Sequence, residues 1–248
     1  MAGLMRTSNP ALNEKAFQGQ VAIGDAMTLQ GTVNKTGLLL LFLVVAAAWT
    51  WGKGHSETPE AAVPWMMGGL IGGFIVAIVT VFRKNWAPIT APLYALLEGL
   101  VLGGVSAVFE KMYHGIALQA VGLTLGTLFV MLLAYKSGMI RATQGFKIGV
   151  IAATGGIAVF YLVEMVLGFF FHFQFSAING NGFWGIGFSV FVVIIAALNL
   201  VLDFDMIETG VRGGAPKYME WYGAFGLMIT LVWLYLEILR LLAKARRQ

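Results

Sequence analysis

Seven long apolar segments, separated by short polar joints, dominate the pattern of hydrophobic and polar positions along this 248-residue chain. They lie at about residues 35–51, 63–82, 88–109, 113–135, 146–171, 182–202 and 222–243. A helix needs about 20 mainly apolar residues to cross about 30 Å of hydrocarbon. Barrel strands would instead alternate apolar and polar residues over about ten positions. The pattern therefore predicts an all-α fold, a polytopic bundle of seven transmembrane helices.

The segments follow one another so closely that we predict a single bundle with two tails. Residues 1–34 form a polar N-terminal tail, residues 35–243 the transmembrane domain, and residues 244–248 a basic C-terminal tail. The sixth segment has no clear polar stop and continues into the acidic stretch DFDMIE at 203–208.

Composition supports a multi-pass membrane protein. Hydrophobic residues make up 58% of the chain and charged residues 11%, against about 25% charged residues in soluble domains. The net charge of +4 comes from bases at segment ends, where they meet lipid headgroups, so we expect no nucleic-acid partner. The chain has no cysteine and lacks the HExxH, GxSxG and GxxxxGK motifs. We therefore expect neither enzyme activity nor a bound cofactor.

The distribution of basic residues predicts the orientation. The N-terminal tail and the joints on its side contain Arg6, Lys15, Lys35, Arg83, Lys84, Lys136, Arg141, Lys147, Arg212 and Lys217. The opposite side has Lys53 and Lys111 in its joints, and Arg240, Lys244, Arg246 and Arg247 at the C-terminus. The positive-inside rule places the N-terminus in the cytoplasm. The basic C-terminus disagrees: either it is exported against the rule, or one late segment enters and leaves from the same side. We keep seven full spans.

Glycines four residues apart indicate close helix packing within one subunit, because small residues let helix backbones approach. The pairs are Gly68 with Gly72, Gly69 with Gly73, Gly99 with Gly103, and Gly122 with Gly126.

Carboxylates in or beside the apolar segments are the candidate functional groups, namely Glu98, Glu164, Asp203, Asp205, Glu208 and Glu237. A charge at membrane depth costs at least about 2.5 kcal/mol, so each needs a proton, a basic partner or a bound cation. Asp203 and Asp205 point about 200° apart on a helix and cannot chelate one ion alone. Asp205 shares a face with Glu208, and Glu208 shares one with Arg212. The alternative is that this acidic stretch is a hydrated loop.

The other three carboxylates allow structural explanations. Glu98 and Glu164 lie within apolar segments and belong either to an ion pathway or to hydrogen bonds between helices. Glu237 precedes Arg240 by three residues, a spacing that predicts a snorkelling ion pair.

Several stretches resemble the Bax-inhibitor/YccA-like family, the transmembrane Bax-inhibitor-motif proteins. LDFDMI at 202–207 fits the family pattern FDTQxI, with Asp203 at the family aspartate and Asp205 at the amide position. YALLEGL at 94–100 is similar to the family's aromatic-leucine-EGL segment. SNPAL at 8–12 and the tract at 27–37 resemble bacterial members of a YccA-like branch. The resemblance covers essentially the whole chain.

The resemblance implies seven helices and a calcium-permeable leak, gated by pH through two aspartates on the last two helices. One departure affects this switch. The family pattern DWxxALxLxLD places its second aspartate ten residues after the first acid. EWYGAF at 220–225 matches the start of that pattern, and Thr230 occupies the aspartate position. The two-aspartate switch is therefore not retained intact, unless Asp205 or Glu98 takes the partner's role.

We expect a pH-sensitive leak for calcium or other cations in a cell membrane, on this resemblance a bacterial inner membrane. The expected pH sensor or ion pathway comprises Asp203, Asp205, Glu98, Glu164 and Glu208, with calcium, as the transported ion, at Asp203 and Asp205. Some bacterial relatives associate with a membrane AAA protease. The alternative function is therefore a non-conducting regulator that binds a membrane protease or another membrane protein.

Overall fold

Seven membrane-length helices make up almost all of the described structure. The computed structural model of the chain describes residues 25–56, 59–172 and 175–247. Its helices are α1 (Leu29–Ser56), α2 (Pro59–Phe82), α3 (Ala87–Met112), α4 (Ile116–Lys136), α5 (Gln144–Phe171), α6 (Ser176–Asn179), α7 (Phe183–Arg212) and α8 (Met219–Ala245). All except the four-residue α6 are long and apolar enough to cross a membrane. The all-α, seven-helix prediction is confirmed.

Contacts between helix ends define the order of the bundle. The Met27 amide donates to the Ala215 carbonyl at 2.7 Å, and Ala26 forms an isolated antiparallel bridge with Pro216. The beginnings of α1 and α8 therefore lie together, at what we call the N-terminal end of the bundle. At the other end, which we call the C-terminal end, Arg246 donates to the His114 carbonyl at 2.8 Å. Seven full crossings, with the beginning of α1 and the end of α8 at opposite ends of the bundle, fit these contacts. Which end faces the cytoplasm stays a prediction.

The last two long helices form the centre of the bundle. Over the 18 most apolar consecutive residues of each helix, 56% of α7 and 61% of α8 is buried, against 17% of α2 and 11% of α5. Leu200 and Leu202 of α7, and Tyr222 and Phe225 of α8, are among the largest fully buried side chains. The outer helices expose apolar side chains instead, as expected of helices that face lipid. Residues 199–204 of α7 are buried without exception.

Glycines on α3 bring the first and third helices into close contact. A methyl group on Gly99 or Gly103 would collide with the carbonyl oxygens of Leu43 and Ala47 of α1. On α2, a methyl group on Gly69 would lie 2.5 Å from the Leu97 carbonyl oxygen of α3. At these positions the packing prediction is confirmed, because no larger residue fits at these separations.

The same prediction is wrong for the pair on α4. Among the described residues, no atom outside the helix's own backbone lies within 4 Å of a methyl group placed on Gly122 or Gly126, and the same holds for Gly68 on α2. These glycines lie on the outside of the bundle. A spacing of four residues places them on one face of a helix without specifying which face meets a neighbour.

Most of the long helices exceed their predicted limits, and α1 and α7 do so by the most residues. α1 begins at Leu29, inside the predicted polar tail, and the hydroxyls of Thr32 and Thr36 donate back to carbonyls one turn earlier. These bonds satisfy the polar side chains within the helix. α7 continues to Arg212, so the stretch 203–208 is helical and the hydrated-loop alternative is wrong. The SNPAL stretch at 8–12 lies outside the described residues.

Candidate functional site

Asp203 lies in the buried core of the bundle. None of its surface is exposed. It lies nine residues before the end of α7, which places it about 13 Å below the N-terminal end. Its helix neighbours Leu202 and Met206 are almost completely buried. A carboxylate at such a position is costly in a membrane protein, which makes Asp203 the leading candidate for a functional group.

Three carboxylates on α7 form a gradient of exposure towards Asp203. Glu208 has 38% of its side chain exposed and Asp205 has 23%, whereas Asp203 is fully enclosed. Five residues of helix correspond to about 7.5 Å of axial rise. The acidic stretch therefore leads from the surface of the N-terminal end into the core, and we call it the acidic ladder.

An ion pair joins the acidic ladder to an outer helix. Lys147, in the first turn of α5, donates to the Asp205 carboxylate at 2.5 Å, and both side chains are largely buried. Sequence reasoning missed this partner, because it treated Lys147 only as a topology-determining base. The two charges tie the least buried span to the central helix.

Glu208, the outermost acid of the ladder, bonds to two other residues. The Tyr135 hydroxyl of α4 donates to its carboxylate at 2.5 Å, and Arg212 donates at 2.6 Å from the next turn. The pairing of Glu208 with Arg212 follows the predicted spacing of four residues.

The described residues contain no group of three or more histidines and acids that could hold a metal ion. Because Asp205 faces Lys147, its carboxylate is bound to a base rather than turned towards a site shared with Asp203. Calcium at Asp203 and Asp205 during transport stays a prediction.

Glu98 and Glu164 lie apart from the acidic ladder. Glu98 is partly buried on α3, bonds to Tyr94 one turn earlier, and lies against Gly73 of α2. Glu164 lies near the C-terminal end, where the Asn179 amide donates to it. The structure therefore places these two acids in separate environments, each with a hydrogen-bond partner. Their roles in an ion pathway stay predictions.

Glu237 forms the predicted ion pair. Arg240 donates to its carboxylate at 3.0 Å, and the Tyr161 hydroxyl of α5 donates to both carboxylate oxygens at 3.1 and 3.2 Å. The pair also joins α8 to α5, which its spacing alone did not indicate.

Thr230, at the position of the second family aspartate, is buried on α8. A methyl group on Gly223 would lie 3.2 Å from the Ile207 side chain, which fixes the register of the antiparallel helices α7 and α8. Asp203 then lies level with Leu227, three residues from Thr230, or about 4.5 Å along the axis. Thr230 is therefore within about one turn of Asp203 along the bundle.

Glu220, at the start of α8, has an environment that sequence reasoning did not detect. Its fully enclosed carboxylate accepts from the amide and hydroxyl of Thr28, both at 2.8 Å. Lys35 and Lys217 form ion pairs with it, and Gly31 leaves room for the carboxylate beside α1. In the sequence Glu220 is marked by its match to the first acid of the family pattern DWxxALxLxLD, and that match identifies no partners. Glu220 fastens the segment before α1 to the beginning of α8.

Comparison with known families identifies the family to which this chain belongs. The family described as Bax inhibitor 1 like matches residues 9–247, nearly the whole chain. Neither a curated protein nor a solved structure matches the chain. The family match covers all seven long helices, the acidic ladder and Glu220. The chain is a multi-pass membrane protein that belongs to the Bax inhibitor 1 like family.

Proposed function

We propose that this protein is a pH-sensitive leak channel for calcium or other cations, with Asp203 as the sensor. The observation that carries the proposal is the complete burial of Asp203 at the inner end of a ladder of acids. A buried carboxylate changes its interactions with its surroundings when it gains or loses a proton. Carboxylates are also preferred ligands of calcium. One residue can therefore sense protons and contact the passing ion.

The acidic ladder supports a cation entrance at the N-terminal end. Negative charge in a narrow, low-dielectric approach raises the local concentration of cations. The Lys147–Asp205 pair joins α5 to α7 within the acidic ladder. We propose that the pair restricts the leak, because it neutralises Asp205 and fixes the outer helix.

Thr230 makes the proposed sensor differ from one with two aspartates. A threonine hydroxyl cannot share a proton with Asp203 as a second carboxylate would. Two close carboxylates titrate as a coupled pair, in which one pKa is raised. We therefore expect Thr230→Asp to move the midpoint of gating to higher pH and to sharpen the transition.

Calcium flux into liposomes containing the purified protein tests conduction. We expect flux above that of protein-free liposomes, and a higher initial rate for Lys147→Met, because this change releases Asp205 and loosens α5. Arg212→Met is the matched control. It also removes a base paired with an acid on α7, but its side chain is 76% exposed and its partner Glu208 lies on the same helix. Its flux should stay close to that of the unmodified protein.

Equal rates for Lys147→Met and Arg212→Met would contradict the proposed restriction by the ion pair. Absence of flux at every pH, while a membrane protease or another membrane protein still binds, would contradict the channel proposal. That result would support the alternative function, a non-conducting regulator.

A further inference from the structure

A cavity of about 700 Å³ opens at the C-terminal end of the bundle, away from the acidic ladder. It is bordered by the ends of α3, α5 and α8 and by the short α6. Three bases, one acid and two large apolar side chains contribute to its wall: Arg240, Lys244, Arg247, Glu164, Phe109 and Met165. The wall thus combines a cationic part with an apolar part.

Lys244 supplies a buried positive charge to this wall. The residue is only 7% exposed, and its ammonium donates to the carbonyls of Ile178 at 2.7 Å and Gly185 at 3.1 Å. Both partners are neutral, and no carboxylate pairs with Lys244 among the described residues. An ammonium has three protons, so one remains for a further acceptor. Because a buried charge without an opposite charge is costly, the site favours an anion.

Arg247 adds a second cation with unused donors. Its Nε donates to the Tyr113 hydroxyl at 2.7 Å, and its two terminal nitrogens have no hydrogen-bond acceptor among the described residues, so they can donate into the cavity. Arg240, in contrast, is offset by Glu237, with which it forms an ion pair. Glu164 contributes one negative charge, held by Asn179. Glu237 offsets the charge of Arg240, and Glu164 offsets one of the two charges of Lys244 and Arg247. One positive charge therefore remains at the cavity.

The location of the cavity indicates which anion it meets. It lies where α3, α5 and α8 end, and therefore at the depth of lipid headgroups in a membrane-spanning bundle. Phe171 and Trp184 are exposed at the same end, as is typical of an aromatic belt at the membrane surface. The volume far exceeds that of a phosphate ion. We propose that this cavity binds the phosphate-bearing headgroup of an anionic phospholipid, with Lys244 and Arg247 as its donors and Phe109 and Met165 beside its apolar part.

Neighbouring arginines provide a matched test. Arg247 lines the cavity, whereas Arg246 instead donates to the His114 carbonyl and to Gln119, both at 2.8 Å. Arg246→Gln and Arg247→Gln remove the same charge from adjacent positions. Native mass spectrometry would count the lipids retained by protein from nanodiscs containing equal amounts of phosphatidylglycerol and phosphatidylcholine. Titration of delipidated protein with short-chain phosphatidylglycerol would give the affinity.

We expect the unmodified protein to retain phosphatidylglycerol in preference to phosphatidylcholine. Arg247→Gln should weaken phosphatidylglycerol binding about tenfold, because a hydrogen bond to a charged group contributes about 1.5 kcal/mol or more. Arg246→Gln should bind like the unmodified protein. Lys244→Gln should weaken binding at least as strongly, with circular dichroism to establish that the variant is folded.

Two results would overturn the proposal. Equal weakening by Arg246→Gln and Arg247→Gln would mean that diffuse charge attracts the lipid to the whole surface. Binding of inorganic phosphate that depends on Arg247, without preference for phosphatidylglycerol, would mean that the ligand is a soluble anion. Neither result bears on cation flux, so this proposal can fail independently of the channel proposal.

Discussion

Replacing Glu220 with glutamine removes one negative charge that faces two lysines and the segment before α1. The carboxylate accepts from Thr28 through one oxygen and pairs with Lys35 through the other. A glutamine carbonyl can keep the Thr28 bonds. Its NH₂ group would then face the Lys35 ammonium, and two donors cannot bond to each other.

The structure sets the size of the expected effect. Removing one member of a buried ion pair costs about 3–5 kcal/mol. Lys35 and Lys217 keep 19% and 49% of their side chains exposed, so water compensates part of the loss. We therefore expect the free energy of unfolding to fall by about 2–3 kcal/mol. For a chain of this length, that corresponds to a decrease in Tm of about 4–12 °C.

Thermal unfolding in detergent micelles, followed by circular dichroism, measures this decrease. Glu208→Gln is the control, because its pair with Arg212 is exposed and contributes only about 0–1 kcal/mol, while the glutamine carbonyl can still accept from the Tyr135 hydroxyl. A double variant with Lys35→Met should lose less stability than the sum of the single variants, because the two residues share one interaction. Equal decreases in Tm for Glu220→Gln and Glu208→Gln would refute this account of Glu220.

Three further predictions concern packing, an isolated acid and topology. Gly103→Ala should lower the free energy of unfolding by about 1–3 kcal/mol, because the added methyl group collides with α1. Gly122→Ala should be neutral or stabilising by up to about 1 kcal/mol. Thermal unfolding compares the two variants, and equal losses of stability would contradict the packing described for α1 and α3. Glu98→Gln should fold normally, because it keeps hydrogen-bonding groups beside Tyr94; severe loss of expression would show that the charge is structural. A reporter fused before Lys35 should be shielded from external label and one after the C-terminus accessible, and the reverse pattern would contradict the orientation.

Sequence reasoning could predict the helices because each depends mainly on its own composition. A continuous apolar run of about 20 residues has few alternatives to a membrane-spanning helix. The helix ends were harder to predict, because the extra turns depend on tertiary contacts. The beginning of α1 is polar in sequence, yet Thr32 is buried there, and Glu220 of α8 accepts from the amide and hydroxyl of Thr28 just before the helix.

The candidate site could be predicted only in part, for a similar reason. A charged side chain that faces lipid costs free energy, so a carboxylate in an apolar run, such as Asp203, is expected to face the interior of the bundle. Its surroundings depend on which helix ends meet, and that is a long-range property. The pairing of Lys147 with Asp205 joins residues 58 positions apart, and the bonds of Glu220 to Thr28 join residues 192 apart. Local spacing correctly indicated only pairs on one helix, such as Glu237 with Arg240.

The most direct test of the central claim is the pH profile of calcium flux through Asp203→Asn in liposomes. The substitution keeps the size of the side chain and removes its titratable proton. Flux would be recorded from about pH 5 to 8, on either side of the range in which shifted carboxylates titrate. We predict that the unmodified protein shows a pH-dependent transition and that Asp203→Asn, with unchanged elution in gel filtration, shows none. A pH transition in Asp203→Asn with the same midpoint and steepness as in the unmodified protein would contradict the assignment of Asp203 as the sensor.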